Sequence, residues 1–349
     1  MQVAQLGERR VIERLLQTLP RSLQGWRDLL LGPGDDCAMV RTARNTAWLI
    51  TTDQQIEGTH FAWSWSRPAQ LGYRAAAVTL SDIGAMGGTP RFLLVNLGLT
   101  PRTPVATVVQ FYRGMRALLA RHRVALIGGD TSAAPCFYAS LTAIGRINPA
   151  RAVTRGGARP GDLIMVTGTL GDAAAGLQLL HRGRHRRQMD AMTRALVRRQ
   201  LYPTPRLAAG RALAEHRLAT AMLDLSDGLA IDLDRLCRAS GVGASLRLER
   251  LPLSPALIAY ARRRRLDPRR LALAGGEDYE LLFTVRPAAA TRCLQLLRRW
   301  HLAGRCIGEI RRASGRAPIT VLEGGRSTPL QAATGGFEHF RASTARDRR

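Results

Sequence analysis

A chain of 349 residues with 46% hydrophobic content is long enough for two domains that each bury a core, which excludes a wholly disordered protein. Its formal charge is +26, and each of its 52 basic residues is arginine. The absence of lysine excludes a P-loop lysine, a Schiff-base lysine and the lysine of protein kinases, so a nucleotide enzyme built from this chain holds phosphates by other groups.

From the N-terminus, Met1 to Arg10 carries charge without an apolar core behind it, and no uncharged apolar run approaches the roughly eighteen residues that a membrane span needs. No membrane association and a cytoplasmic location are expected. Gly32-Pro33-Gly34-Asp35-Asp36 leads paired carboxylates into an apolar strand from Cys37 to Val40. Adjacent like charges raise each other's pKa unless a cation is near, although Pro-Gly-Asp-Asp is equally an ordinary turn before a strand. The strand expected at Ala47 to Thr51 ends in Thr51, Thr52 and Asp53, hard oxygen donors suited to Mg²⁺ or, alternatively, to capping a turn. Glu57-Gly58-Thr59-His60-Phe61 follows, with a lone histidine that is either functional or a polar core residue.

A helix is predicted over Gln70 to Met86, in which Leu71, Ala75, Val78, Asp82 and Ala85 recur at helical spacing on one face. Asp82 therefore interrupts an apolar stripe and requires a cation, an arginine or backbone donors. A strand from Phe92 to Leu99, a helix from Val105 to Arg121 and a strand from Val124 to Ile127 come next. The last runs into Gly128-Gly129-Asp130-Thr131, where glycines permit close approach of a phosphate and the aspartate can hold its metal.

The Gly/Pro/Arg-rich stretch from Arg151 to Asp162 reads as a domain junction or long turn. Beyond it, strands are predicted at Leu163 to Thr167, Ala221 to Leu225, Ala244 to Leu248, Tyr279 to Val285 and Pro318 to Leu322. Strands and helices mixed in both halves point to an α/β or α+β class. Asp224-Leu225-Ser226-Asp227 precedes a helix with apolar face Leu229, Leu233, Leu236 and Cys237, for which Ser226 or Asp227 is the expected N-cap in a structural reading. Gly275-Gly276-Glu277-Asp278-Tyr279-Glu280 places acids between a glycine pair and a strand, a hairpin or loop signal when taken alone.

Arginine clusters at His181 to Arg187, Arg262 to Arg265 and Arg346 to Arg349 lie between or beyond the periodic segments and read as solvated faces. The charge would ordinarily suggest nucleic acid, yet the aromatic interleaving of single-strand binders is missing, and uniform arginine use looks like a genome-wide bias. No specific nucleic-acid partner is expected. Five scattered cysteines argue against a disulfide framework or a zinc site and for a reducing compartment. The acidic, glycine- or hydroxyl-bearing junctions spread over both halves have a common reading as a multi-metal phosphate site.

In this order, Gly34-Asp35-Asp36, Thr51-Thr52-Asp53, Glu57-Gly58-Thr59-His60-Phe61, Leu80-Ser81-Asp82-Ile83-Gly84-Ala85-Met86-Gly87, Gly128-Gly129-Asp130-Thr131, Asp224-Leu225-Ser226-Asp227-Gly228-Leu229 and Gly275-Gly276-Glu277-Asp278-Tyr279-Glu280 resemble the thiamine-monophosphate kinase family. The resemblance runs from Gly7 to Phe340 and departs from the family pattern at Gln54-Gln55 and after Thr131, where an arginine is common. It implies a subunit whose residues 1–148 bind ATP and Mg²⁺ and dimerise through an N-terminal mixed sheet, whose residues 149–340 form an α/β domain that completes the nucleotide and substrate site, and whose residues 341–349 are a basic tail. It also implies several Mg²⁺ ions on Asp36, Thr51, Thr52, Asp53, Asp82, Asp130, Asp224 and Asp227. Gly129, Asp130, Arg155 and Ser226 would contact ATP, while His60, Glu277 and Phe337 would hold thiamine monophosphate. The implied reaction is direct in-line transfer of the ATP γ-phosphoryl group to give thiamine diphosphate, by a homodimer. The alternatives are a related ATP-dependent synthetase of the same superfamily and a basic nucleic-acid-binding protein on the same scaffold.

Overall fold

The computed structural model describes residues 2–18, 26–183, 189–313 and 319–330. Its first half runs α1 (Val3–Leu6), α2 (Glu8–Thr18), β1 (Leu29–Leu31), β2 (Ala38–Ala43), β3 (Thr46–Ile56), α3 (Pro68–Ala85), β4 (Thr89–Leu99), α4 (Val105–His122), β5 (Ala125–Ala133) and β6 (Tyr138–Ile147). Among the described residues these strands form a sheet in the order β1-β2-β3-β6-β4-β5, antiparallel except for the parallel β4–β5 pair at one edge.

The second half continues with β7 (Leu163–Thr167), α5 (Asp172–His181), α6 (Ala191–Leu201), α7 (Leu207–Glu215), β8 (Ala219–Asp224), α8 (Leu229–Ser240), β9 (Val242–Arg247), α9 (Pro255–Arg264), α10 (Pro268–Ala274), β10 (Leu281–Val285), α11 (Ala290–Arg299), β11 (Gly304–Arg312), β12 (Ile319–Glu323) and β13 (Arg326–Pro329). Its sheet has the order β13-β12-β9-β11-β7-β10-β8. The expected mixture of strands and helices in both halves is present.

α3 is the element that joins them. Proline at its first position pre-sets the helical φ, and Leu71, Ala75, Val78 and Ala85 are all buried. The same helix meets α7 of the second half at Gly84 and Gly210. A Cβ on Gly210 would lie 1.9 Å from the Gly84 carbonyl oxygen, so only glycine permits this approach. One core cluster accordingly contains Leu80 of α3 together with Leu180, Leu196 and Leu207 of the second half.

Two local expectations change. The strand predicted over Val124 to Ile127 runs on to Ala133, so Gly128 and Gly129 lie within β5 and not in a loop after it. Gly129 has φ +155°, and a Cβ there would meet the Val95 carbonyl oxygen at 1.8 Å. Packing against β4 therefore demands glycine at that position before any phosphate is considered. The N-cap of α8 is Gly228, with no capping side chain of its own. Instead Asp232 reaches back from the first turn and accepts from the backbone N–H groups of Asp227 (3.0 Å) and Gly228 (3.1 Å). This leaves the carboxylate of Asp227 available for other contacts.

Candidate active site

The pleat of β3 decides which of its polar residues face the core, since alternate side chains point to opposite sides. The Thr51 hydroxyl donates to Asp82 Oδ2 on α3 at 2.6 Å. The Thr52 hydroxyl is turned the other way and donates to the Leu141 carbonyl at 3.1 Å. Asp53 and Gln55, in phase with Thr51, line a cavity on the same side.

Three elements remote in sequence bring carboxylates together beside that strand. Asp36 enters from the turn before β2, Asp82 from α3 and Asp224 from the end of β8, and each offers an oxygen within 4.8 Å of the others. Arg155, on the connection between the two sheets, donates to Asp36 Oδ1 at 2.6 Å, and its backbone N–H donates to Asp35 at 3.0 Å. Burial is the main reason the Asp36 carboxyl is pushed up to about 7; Arg155 opposes the rise and Asp224 adds to it. Burial, then repulsion from Asp224 and Asp36, pushes Asp82 well above the ordinary carboxylate range. Asp36 Oδ2 and Asp224 Oδ2 are buried without a hydrogen-bond partner among the described residues. Converging carboxylates with unpartnered oxygens and an adjoining hydroxyl fit a hard divalent cation such as Mg²⁺.

The other expected ligands divide. Burial pushes Asp53 up to about 6, and the charge of Asp224 contributes to the rise. Asp227 lines the cavity and pairs with Arg235 at 2.5 Å. The structure does not bring Thr52 or Asp130 to this group: the Thr52 hydroxyl is on the opposite face, and Asp130 is exposed on β5, where it accepts from its neighbour's N–H at 2.8 Å. Gly129, on the same exposed strand, is likewise apart.

The cavity next to the carboxylates has a volume of about 540 Å³ and is lined by His60, Glu277 and Ser226, together with Asp53 and Asp227. Trp65 and His181 form a further wall, with ring centroids 6.0 Å apart. His60 Nδ1 accepts from the Ile56 N–H at 3.1 Å, which fixes the orientation of the ring. Phe337 lies outside the described residues.

The Gly-Gly-Glu-Asp-Tyr-Glu segment carries more structure than its reading as a loop suggests. Glu277 faces the cavity. Asp278 accepts from the N–H groups of Gly171 (2.6 Å) and Ala173 (3.3 Å) at the start of α5, and burial pushes its carboxyl up to about 7. Glu280, fully buried, accepts from Arg199 (2.7 Å), Arg206 (2.6 Å) and the Thr167 hydroxyl (2.7 Å). Despite its burial, these arginines hold its carboxyl below the usual value. Arg199 belongs to α6, beyond the arginine cluster of His181 to Arg187. Residues 184–187 of that cluster lie outside the described residues.

The family described as "AIR synthase related protein, N-terminal domain" matches residues 34–147, and its C-terminal domain counterpart matches residues 159–318. The thiamine-monophosphate kinase of Haemophilus influenzae is 37% identical over 314 residues, covering 90% of this chain and 92% of that protein. That of Salmonella typhimurium is 43% identical over 263 residues, covering 74% of this chain and 77% of that protein. The solved structure of AaThiL complexed with AMPPCP and TMP superposes with a TM-score of 0.81 at 32% identity, covering 97% of this chain and 99% of that one. Two sheets joined through α3, with carboxylates gathered at the seam, thus define an AIR synthase related protein. Within that class, the chain belongs to the thiamine-monophosphate kinase family.

Proposed function

We propose that the chain catalyses ATP-dependent phosphorylation of thiamine monophosphate, giving thiamine diphosphate and ADP. The observation that carries this reading is the gathering of Asp36, Asp82 and Asp224 close to Asp53, whose carboxyl feels the charge of Asp224 and which itself lines the cavity holding His60 and Glu277. Kinase relatives share most of the chain, and the AaThiL structure contains both AMPPCP and TMP.

An acceptor phosphate oxygen is already anionic at neutral pH, so no strong general base is required. That oxygen bonds to the γ-phosphorus as the bond to the β-phosphate oxygen breaks. The chain's task is to align the two phosphate-bearing molecules in line and to exclude water. His60 and Glu277 orient the acceptor, together with Phe337, and Glu277 offers acceptor oxygens to donors on a cationic aromatic ligand. Ser226 and Arg155 bind ATP, as do Gly129 and Asp130 once β5 is completed by its partner. Asp36, Asp82 and Asp224, supported by Thr51, Asp53 and Asp227, would hold Mg²⁺ ions, which supply neutralisation of the repulsion between the phosphates.

We assign residues 1–148 to ATP and metal binding and to dimerisation, and residues 149–340 to completion of the nucleotide and acceptor site. The homodimer reading rests on β5, a sheet-edge strand with Leu126 43% and Ile127 52% exposed. Such an edge is a template for pairing with a second copy. A cytoplasmic location is supported by free thiols, including the buried Cys37, Cys237 and Cys293.

The test is incubation of purified protein with ATP, Mg²⁺ and thiamine monophosphate, with thiamine diphosphate as the expected product. Equal turnover of unrelated acceptors by folded protein would overturn the assignment. Salt-sensitive nucleic-acid binding that survives Asp53→Asn, without ATP turnover by the parent, would favour the nucleic-acid alternative.

A further inference from the structure

Among the described residues, Arg74 is the most thoroughly buried arginine of the first half, with only 2% exposure, and it lies on α3 one turn after Leu71. Its guanidinium makes a short ion pair with Glu277 Oε1, and Nη1 donates to the His60 carbonyl oxygen at 3.3 Å. The other Glu277 oxygen accepts from Gln200 Nε2 of α6 at 2.5 Å, and Gln200 is 1% exposed. The backbone of Glu277 is held as well: its N–H donates to the Ser226 carbonyl at 2.7 Å, and its φ is +69°. A left-handed conformation at a non-glycine residue costs free energy and persists where the surroundings enforce it.

We propose that Arg74 and Gln200 are positioning residues for the acceptor: they clamp both oxygens of Glu277 and tie its loop to that of His60, so that the two halves of the protein present one pre-formed acceptor cavity. The inference rests on the reading of His60 and Glu277 as acceptor-binding residues. A buried ion pair is a weak device for stability alone, because apolar groups of similar volume commonly do as well. Glu277, moreover, lines the cavity, and Arg74 Nε and Gln200 Oε1 are left without hydrogen-bond partners among the described residues. Such an incompletely satisfied network is an inefficient way to fill a core. As an orienting device it is economical, since one guanidinium spans the first-half loop carrying His60 and the second-half loop carrying Glu277. Glu277, with its charge balanced by Arg74, then reads its ligand through directed hydrogen bonds more than through net charge.

The test is steady-state kinetics of Arg74→Met, Gln200→Leu, Glu277→Gln and the double variant Arg74→Met/Glu277→Gln, with ATP and thiamine monophosphate varied separately. We expect Arg74→Met and Gln200→Leu each to raise KM for the acceptor roughly tenfold, the scale of a charge-assisted hydrogen bond, with KM for ATP changed by less than about twofold. Arg74→Lys, which keeps the charge but loses the fork, should recover only part of the loss. The double variant should be little worse than Glu277→Gln alone, because the residues act through one another. If Glu277→Gln raises the acceptor KM while Arg74→Met and Gln200→Leu do not, the positioning role is overturned. A Gln200→Leu variant that is as stable as the parent yet shifts both KM values equally also overturns it. If Glu277→Gln has no effect on the acceptor KM, the underlying assignment of Glu277 fails instead.

Discussion

The Thr51 hydroxyl donates a 2.6 Å hydrogen bond to the Asp82 carboxylate, linking the middle of β3 to the core-facing side of α3. That bond orients Asp82 toward Asp36 and Asp224. Without a cation, three converging carboxylates repel; with one, they become its ligands. Asp82→Asn should therefore lower Mg²⁺-dependent turnover by more than roughly tenfold, the scale seen for groups that shape a metal site. The same change should leave the thermal midpoint in EDTA no lower than the parent's, because it removes one of the repelling charges while keeping an acceptor for Thr51. Unchanged activity at limiting Mg²⁺ would refute the metal role.

Glu280, three residues after Glu277, anchors that segment by pairing with Arg199 and Arg206. Glu280→Ala leaves two guanidinium groups facing an empty buried site and should cost on the order of 3–5 kcal/mol, measurable by urea unfolding. The pH dependence has a defined sign. The folded-state carboxyl is held below its ordinary value of 4.5, so its contribution is full above 4.5 and is lost as the pH falls through the lower folded value. The difference in stability between the parent and Glu280→Ala should therefore narrow on acidification below 4.5. A constant difference would show that the pairing does not involve the ionised form.

Gly210→Ala tests the contact between the halves, where the new Cβ would lie 1.9 Å from the Gly84 carbonyl oxygen. Relief requires α3 and α7 to move apart, at a cost of about 1–3 kcal/mol. Because α3 carries both Asp82 and Arg74, turnover should fall together with the thermal midpoint. Full activity in a destabilised variant would mean that the seam does not position the site.

Ile127→Asp places a charge on the apolar edge strand β5. Sedimentation should show the parent as a dimer and the variant shifted toward monomer. A parent that sediments as a monomer at micromolar concentration would overturn the role given to this edge.

Asp82 was legible in the sequence because helical periodicity is strict: a carboxylate in phase with Leu71, Ala75 and Val78 has to be buried, and a buried carboxylate needs a partner. The same periodicity applies to Arg74, one position from Ala75 on that buried face, but in a chain so rich in arginine a single basic residue carries little signal of its own. Local sequence also located most of the strands, since apolar runs bounded by glycine and acidic residues are short-range signals.

Other features depended on distance in space. The sequence places Thr51 and Thr52 side by side, but pairing of β3 with β6 sends their hydroxyls to opposite faces. It makes Gly128 and Gly129 resemble a phosphate loop, whereas pairing with β4 draws them into a strand. The order of the acidic junctions and the helical phase of Asp82 follow from neighbours along the chain, and so they are fixed without any tertiary contact. Tertiary structure alone decided that Asp36, Asp82 and Asp224 share one site, and that Arg74, Gln200 and Glu277 meet across the seam. Those contacts join segments far apart in the chain, and they form only where α3 packs against both halves.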